Sequence, residues 1–364
     1  MSTSNRKIEH LELCTNRMVE AHKDEHNLSR TGFDDITLIH KALPEINKTE
    51  IDTSIEFLGH KLAFPLLIAS MTGGHPDTTD LNKSLALAAQ EMGIGIGVGS
   101  QRAALEDPHL EESFRVVRDT APDAFVFGNI GVQQIKEYGM DGVNQAAKMI
   151  EADAMAIHLN FLQEAIQPEG ETDAVEGLEL IRQVCRSLNV PVIVKETGAG
   201  ISSEVAQRLC DVGVSAIDVS GLGGTSWAGV EVYRARQKGD LVSEGMGELF
   251  WNWGIPTAVS IVESNISVPI IATGGIRTGI DMAKSLAIGA SVCSTALPLV
   301  GPAVNGSEEI KRKLQVMLEE LKVAMFLTGS GNIEELRHVP LVITGKTGLH
   351  LNERGFDTSH FALR

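Results

Sequence analysis

The sequence predicts an α/β protein built as a (β/α)8 TIM barrel with an N-terminal extension. Three observations carry that expectation. Eight short apolar segments recur along the chain, and each is followed by a stretch with helical periodicity. The segments are continuous apolar runs, the pattern of parallel strands covered on both faces. Glycine is abundant, at 36 of 364 residues, while aromatics make up 4%. That balance suits tight turns and close backbone approaches better than an all-β sandwich. A doubly wound open sheet is the alternative arrangement of the same units.

Residues 1–60 read as an extension and 61–364 as the barrel, together one domain. Arg6-Lys-Ile-Glu-His10 opens a polar lead-in. Residues 53–62 read as a hairpin around Gly59, a cover for the barrel base. The first strand is 66–69, followed by a helix over 80–91 with Leu81, Leu85, Leu87 and Ala88 as its apolar residues. Strand two spans 93–99 and its helix 110–118. Strand three spans 124–127, with a helix over 142–151. Strand four, 154–159, precedes a strong helix over 174–188, where Val175, Leu178, Ile181, Val184 and Cys185 share a face. Strand five is 192–194, with a helix over 202–212. Strand six, 216–219, leads into a long insertion at 220–250 that carries Trp227 and the polar run Arg234-Ala-Arg-Gln-Lys-Gly239. A helix over 257–265 completes that unit. Strand seven is 269–272 with a helix over 280–288. Strand eight is 290–293, and a long helix over 308–326 closes the array.

Composition narrows the function. The net charge of -17 disfavours nucleic acid and anionic membranes as partners. An anionic ligand therefore needs a local basic pocket. Cys14, Cys185, Cys210 and Cys293 form no CxxC pair. The last three lie in apolar patterns and are expected to be buried small hydrophobes, as in a reducing compartment. Residues 1–10 lack an apolar signal segment, and no run of 18 apolar residues occurs, so the expected location is cytoplasmic.

In a barrel the strand exits converge on one mouth. The fourth exit is the richest: His158-Leu-Asn-Phe-Leu-Gln-Glu164 offers a histidine, two amides and a carboxylate where packing needs none. The other exits give Ser70, Met71, Thr72 and Gly73; Ser100, Gln101 and Arg102; Asn129; Lys195; Ser220, Gly223, Gly224 and Thr225; Gly274, Gly275 and Arg277; and Ser294, Thr295 and Ala296. Thr273-Gly-Gly-Ile-Arg-Thr-Gly279 fits phosphate binding, because paired glycines let backbone N–H groups approach an anion. It is not a P-loop. Lys195 ends an apolar strand and either snorkels to solvent or serves the pocket, where it would stabilise negative charge. Glu164 suits Mg²⁺, or else favours a helix N-terminus. Arg6, Lys7 and His10 are either a solvated tail or a lid whose cations close over a diphosphate.

These motifs resemble the type 2 isopentenyl diphosphate isomerases, FMN-dependent (β/α)8 barrels. The resemblance covers nearly the whole chain. It is carried by Arg6-Lys-Ile-Glu-His10, Met71-Thr-Gly-Gly74, Gly99-Ser-Gln-Arg102, His158-Leu-Asn160 with Leu162-Gln-Glu164, and Gln167-Pro-Glu-Gly170. Val194-Lys-Glu196, Asp218-Val-Ser-Gly221, Gly223-Gly-Thr-Ser-Trp227 and Thr273-Gly-Gly-Ile-Arg277 complete it. Phe161 stands where the family is expected to carry proline.

The resemblance implies an FMN site with Ala69, Ser70, Met71 and Thr72 against the ring. Ser100, Asn129, Lys195 and Ser220 would meet its polar edge or ribityl chain. Thr225, Gly275, Arg277, Ala296 and Leu297 would hold its phosphate end. It implies an allylic or homoallylic diphosphate bound by Arg6, Lys7, His10, Ser100, Arg102, His158, Asn160 and Gln163, with Mg²⁺ on Glu164. Lys195, His158 and Gln163 are the implied catalytic residues. NADPH would only prime the cofactor, and the family assembles as tetramers or octamers. An FMN-dependent 2-hydroxyacid oxidoreductase is the alternative, since it would share the glycine loops and Lys195.

Overall fold

The computed structural model describes residues 3–22 and 29–364. Eight parallel strands close into a barrel in chain order: β1 (Leu66–Ile68), β2 (Gly95–Gly97), β3 (Val126–Gly131), β4 (Ala154–Leu159), β5 (Val192–Glu196), β6 (Ala216–Asp218), β7 (Ile270–Ala272) and β8 (Val292–Thr295). The ladder between β8 and β1, with Cys293 opposite Leu66 and Thr295 opposite Ile68, closes the ring. That ladder excludes the open sheet, whose outer strands would remain unpaired.

Side chains alternate across each strand, and the alternation builds the interior. Leu67, Phe125, Phe127, Ala154, Ala156, Ile193, Ala216, Ile271 and Val292 form one buried cluster inside the bore. Their strand neighbours Leu66, Val126, Met155, Val194, Ile217, Ala272 and Cys293 belong to the outer core beneath the helices. Both sides are therefore apolar, which is why the strands read as unbroken runs. β2 is glycine-rich for a steric reason: a Cβ on Gly95 would lie 2.8 Å from the Phe125 ring, and one on Gly97 would enter the Phe127 ring.

The hairpin of Ile55–Phe57 and His60–Leu62 turns at Gly59, whose φ is +82°. Phe57 and Leu62 join the bore cluster, and Phe57 meets Phe125 edge-on at 5.6 Å. The hairpin seals the base, as the sequence predicts. Phe57→Ala is expected to cost about 3–5 kcal/mol by leaving a cavity there. Denaturant unfolding measures this, and a loss under about 1 kcal/mol would show that the base collapses around the gap.

Several elements depart from expectation. The N-terminal lead-in is a helix, Thr3–Asn16. The helix placed at 142–151 begins at Val132 and runs to Met149, broken at Gly139, where φ is +61°. The helix placed at 110–118 is Glu112–Thr120. The insertion is a helical pair, Trp227–Lys238 and Leu241–Leu249, turning at Gly239 with φ +69°. A short helix, Leu297–Val304, precedes the closing helix Ser307–Thr328. Ile36–Leu38 pairs antiparallel with Leu341–Ile343; three-residue partners from opposite ends of a chain leave no local pattern to find. Cys293 is buried as expected, but Cys185 and Cys210 are only partly so, and all four cysteines are free. Among the described residues no helix is long and apolar enough to cross a membrane.

Candidate active site

The site arises by extending the bore alternation upward by one residue pair. Two positions beyond Leu67, Phe127, Ala156, Ile193, Ala216, Ile271 and Val292 stand Ala69, Asn129, His158, Lys195, Asp218, Thr273 and Ser294. The same strand face thus changes from apolar to largely polar toward the C-terminal mouth. Asn129, Lys195, Asp218 and Ser294 are all buried there.

A single cavity above this layer is lined by every residue that the resemblance assigns to a ligand, whereas Gly73, Gln101 and Gly223, also named at strand exits, do not line it: buried Gln101 donates to Ala146 O and accepts from Asn129 N. Arg6, Lys7 and His10 come from the N-terminal helix. Ala69, Ser70, Met71 and Thr72 follow β1, and Ser100 and Arg102 follow β2. Asn129 comes from β3, while His158, Asn160, Gln163 and Glu164 come from β4 and its exit. Lys195, Ser220, Thr225, Gly275, Arg277, Ala296 and Leu297 complete the wall. Among the described residues, six buried side-chain atoms make no hydrogen bond: His10 Nε2, which does stand 3.3 Å from the Glu231 carboxylate, Ser70 Oγ, Thr72 Oγ1, Gln167 Oε1, Thr273 Oγ1 and Ser294 Oγ. All six residues line this cavity. Buried polar atoms are costly when unpaired, so their convergence marks a surface shaped for a polar ligand.

One end of the cavity is made of backbone. Gly274 and Gly275 have φ +111° and +78°. A Cβ on Gly224 would lie 2.7 Å from Gly275 N, and one on Gly275 would lie 2.5 Å from Gly223 O. The loops after β6 and β7 therefore touch main chain to main chain. Arg277 locks them: it donates to Gly275 O at 2.8 Å, to Gly223 O at 3.1 Å and to the Glu20 carboxylate. Its fork is committed to holding the loops and Glu20.

Deeper groups are electrostatically constrained. His158 Nδ1 lies 2.9 Å from Asn129 Oδ1. With the amide in this orientation the oxygen accepts, so Nδ1 carries the proton and Nε2 keeps its lone pair. Burial first, then the Lys195 and Lys7 charges, push His158 well below its usual pKa. Burial lowers Lys195 too, against the opposing pull of Asp218 and Glu196, and its Nζ donates to Glu196 O at 3.0 Å. Burial pushes the Glu196 carboxyl up to about 7, although its Oε2 accepts N–H from Thr197, Gly198 and Ala199. Lys7 reaches Ser100 O at 3.0 Å; burial, aided by Arg6, brings it down to about 7. The Glu164 carboxylate takes donors from Asn160 at 2.7 Å, Gln167 at 2.5 Å and Glu171 N at 2.8 Å. No cluster of three metal-binding side chains exists among the described residues.

A depressed histidine has a pH signature. Below about pH 6.5 the unfolded chain binds protons that folded His158 and His10 resist, so stability is present above that pH and lost on acidification. Glu196, held up to about 7, takes up its proton in the same window and opposes that loss, so the His158 share is read by difference: between pH 7.5 and 5.5 the thermal midpoint of FMN-free His158→Gln is expected to fall less, or rise more, than that of wild type. Equal pH slopes in the two proteins would show that His158 does not set this dependence.

Sequence reasoning assigned no role to Glu171, which pairs with Arg102 at 2.8 Å and accepts from Gln134. It also missed Glu231, which accepts from Gln163 at 2.9 Å, and the contact of Trp227 with His10 at 5.2 Å. Glu231 sits mid-helix in the insertion, where an isolated carboxylate reads as a solvated face. Trp227 lies within the Gly223–Trp227 motif, so its position was visible but its partner was not.

Comparison with known proteins follows from this geometry. Residues 18–109 and 127–342 match the family described as FMN-dependent dehydrogenase. An isopentenyl-diphosphate delta-isomerase of Methanosarcina barkeri is 60% identical over 362 residues, covering 100% of this chain and 98% of that one. The Archaeoglobus fulgidus enzyme of the same name is 55% identical over 355 residues, covering 98% and 100%. The Halobacterium salinarum relative is 49% identical, covering 97% of each. Two mandelate oxidase structures align with TM-scores of 0.62 and 0.61 at 18% and 17% identity. They cover 94% and 95% of this chain and 100% of theirs, and share the fold. With this identity along its full length, and with an FMN-type barrel mouth, the chain belongs to the type 2 isopentenyl-diphosphate delta-isomerase family.

Proposed function

We propose that this protein is an enzyme that interconverts isopentenyl and dimethylallyl diphosphate, using FMN in the upper bore and Mg²⁺ at the mouth. The convergence on one cavity of buried, unpaired polar atoms from Ser70, Thr72, Gln167, Thr273 and Ser294 is the observation that carries the reading. The residues fit the cofactor. Ser70, Thr72, Thr273 and Ser294 offer unused hydrogen bonds, and the glycine loops after β6 and β7 offer a phosphate cradle.

The remaining roles are those the family resemblance implies. Ala69 and Met71 supply an apolar wall for the flavin ring, while Asn129, Ser100 and Ser220 face its polar parts. Thr225, Gly275, Arg277, Ala296 and Leu297 shape the phosphate end. Lys195 would supply a cation to bound FMN and stabilise negative charge on the reduced ring. His158, Asn160, Gln163 and Arg102 receive the substrate diphosphate, and Arg6, Lys7 and His10 close over it and exclude water. Glu164 would hold Mg²⁺, an ion that a lone carboxylate suits because it keeps several waters and binds substrate phosphates. The reaction adds a proton to the terminal alkene carbon and removes one from C2, with no net redox change. The substrate's apolar end gives a side chain nothing to grip, and reduced FMN, when bound, would supply an acid–base nitrogen over the carbon skeleton. NADPH serves only to reduce the cofactor. The net charge of -17 argues against nucleic-acid partners, and a tetramer or octamer is the expected assembly.

Purified protein with reduced FMN, Mg²⁺ and isopentenyl diphosphate, kept anaerobic, is expected to form the allylic isomer. No product would overturn the reading, and stoichiometric flavin reduction by a 2-hydroxyacid would replace it with an oxidoreductase.

A further inference from the structure

Arg234 belongs to the polar run of the insertion, yet it is 1% exposed and ranks among the largest fully buried side chains. Its guanidinium meets three carboxylates from three separate segments. Nε donates to Glu9 of the N-terminal helix at 3.0 Å, Nη2 to Glu169 of the loop after β4 at 2.5 Å, and Nη1 to Glu231 of its own helix at 2.6 Å. Glu231 is equally buried, and its other oxygen accepts from Gln163 at 2.9 Å and stands 3.3 Å from His10 Nε2. The same loop that supplies Glu169 supplies Gln167 and Glu171 to the Glu164 carboxylate.

We propose that Arg234 is a positioning residue that seats the N-terminal helix and the Gln163 amide on one buried carboxylate hub, so that the diphosphate pocket is assembled as a unit. This rests on the function proposed above and adds a residue outside the cavity wall. The argument is geometric and electrostatic. A planar fork spreads its donors over three nitrogens in fixed directions, whereas an ammonium offers three donors from one rotating atom and cannot span the same three positions. Without its cation, the hub would hold three carboxylates beside the place where an anionic substrate docks. Glu231 would then be buried without its neutralising partner, and its hydrogen bond would no longer fix Gln163. Burial alone would raise Glu231, but His10, Arg234 and Gln163 together hold it below its usual value.

Arg234→Met holoenzyme is expected to raise KM for isopentenyl diphosphate at least about tenfold, with a smaller fall in kcat, while FMN affinity stays near wild type. Arg234→Lys restores the charge but not the three-point geometry, and should recover part of the KM. Hydrogen exchange over residues 3–16, with inorganic diphosphate and Mg²⁺ as the probe, should be slowed in wild type and not in Arg234→Met. Glu9→Ala serves if Arg234→Met does not fold, because it leaves Arg234 paired with the buried Glu231 and with Glu169. It should raise KM several-fold without altering FMN binding. Wild-type KM in Glu9→Ala overturns the proposal, as does diphosphate protection of residues 3–16 that is unchanged in Arg234→Met. The exchange readout uses no turnover, so it distinguishes failure of this proposal from failure of the isomerase reading.

Discussion

Lys195→Met is expected to lower isomerase turnover by about 10²–10³-fold while the barrel remains folded. Lys195 continues the bore face of Ile193, and the parallel register sets it between His158 on β4 and Asp218 on β6. Methionine keeps length and apolar stem but removes a cation that is 8% exposed. Charge developing on a ligand in so dry a site has little water to stabilise it, so losing a fixed cation costs more there than at the surface. The FMN midpoint potential should fall as well, because the anionic reduced ring loses its counter-charge. His158 should titrate at higher pH, since the Lys195 charge is one of the causes of its depression. Lys195→Arg keeps the charge and should retain more activity. Anaerobic steady-state kinetics and potentiometry measure both effects; an unchanged potential together with wild-type turnover would remove Lys195 from the chemistry.

Glu164→Gln should have the second large effect, a fall in turnover of about 100-fold with a weakened dependence on Mg²⁺. Both carboxylate oxygens already accept donors, from Asn160 on one side and from Gln167 and Glu171 N on the other. That arrangement aims an ionised group, since the three donors occupy three of its roughly four lone-pair sites and leave one, on Oε1, for a cation. A glutamine would turn its own N–H groups toward one of those donors and lose the charge that attracts the cation. The activity of the variant should recover partly at high Mg²⁺, whereas FMN retention should not change, because the glycine loops lie across the mouth. An identical Mg²⁺ titration in wild type and variant would remove Glu164 as the metal ligand.

The eight strands were legible because each is buried on both faces. Continuous apolar runs as short as Leu66–Ile68 and Ile270–Ala272 suit a covered parallel strand and are too brief for a buried helix. The base hairpin was legible from Gly59 between two short β-patterned runs. The N-terminal helix was not: Arg6, Lys7, Glu9 and His10 read as a polar tail, because their partners Ser100, Glu231 and Arg234 lie far along the chain. The insertion hid its helices for a similar reason. Val230, Glu231, Val232, Arg234 and Ala235 are all buried, so that segment shows no polar face by which to recognise a surface helix.

The sequence by itself determined the barrel, its closed base and the set of polar residues at the strand exits. Alternation along a strand is a local property, and a change from apolar to polar on one face is written in consecutive residues. The tertiary structure alone decided which of those groups are already engaged. It committed Arg277 to the loops and Glu20, Glu164 to three donors, and Arg234 to three carboxylates. Such pairings depend on distances between segments that are remote in sequence, and burial fixes them only once the chain has closed on itself.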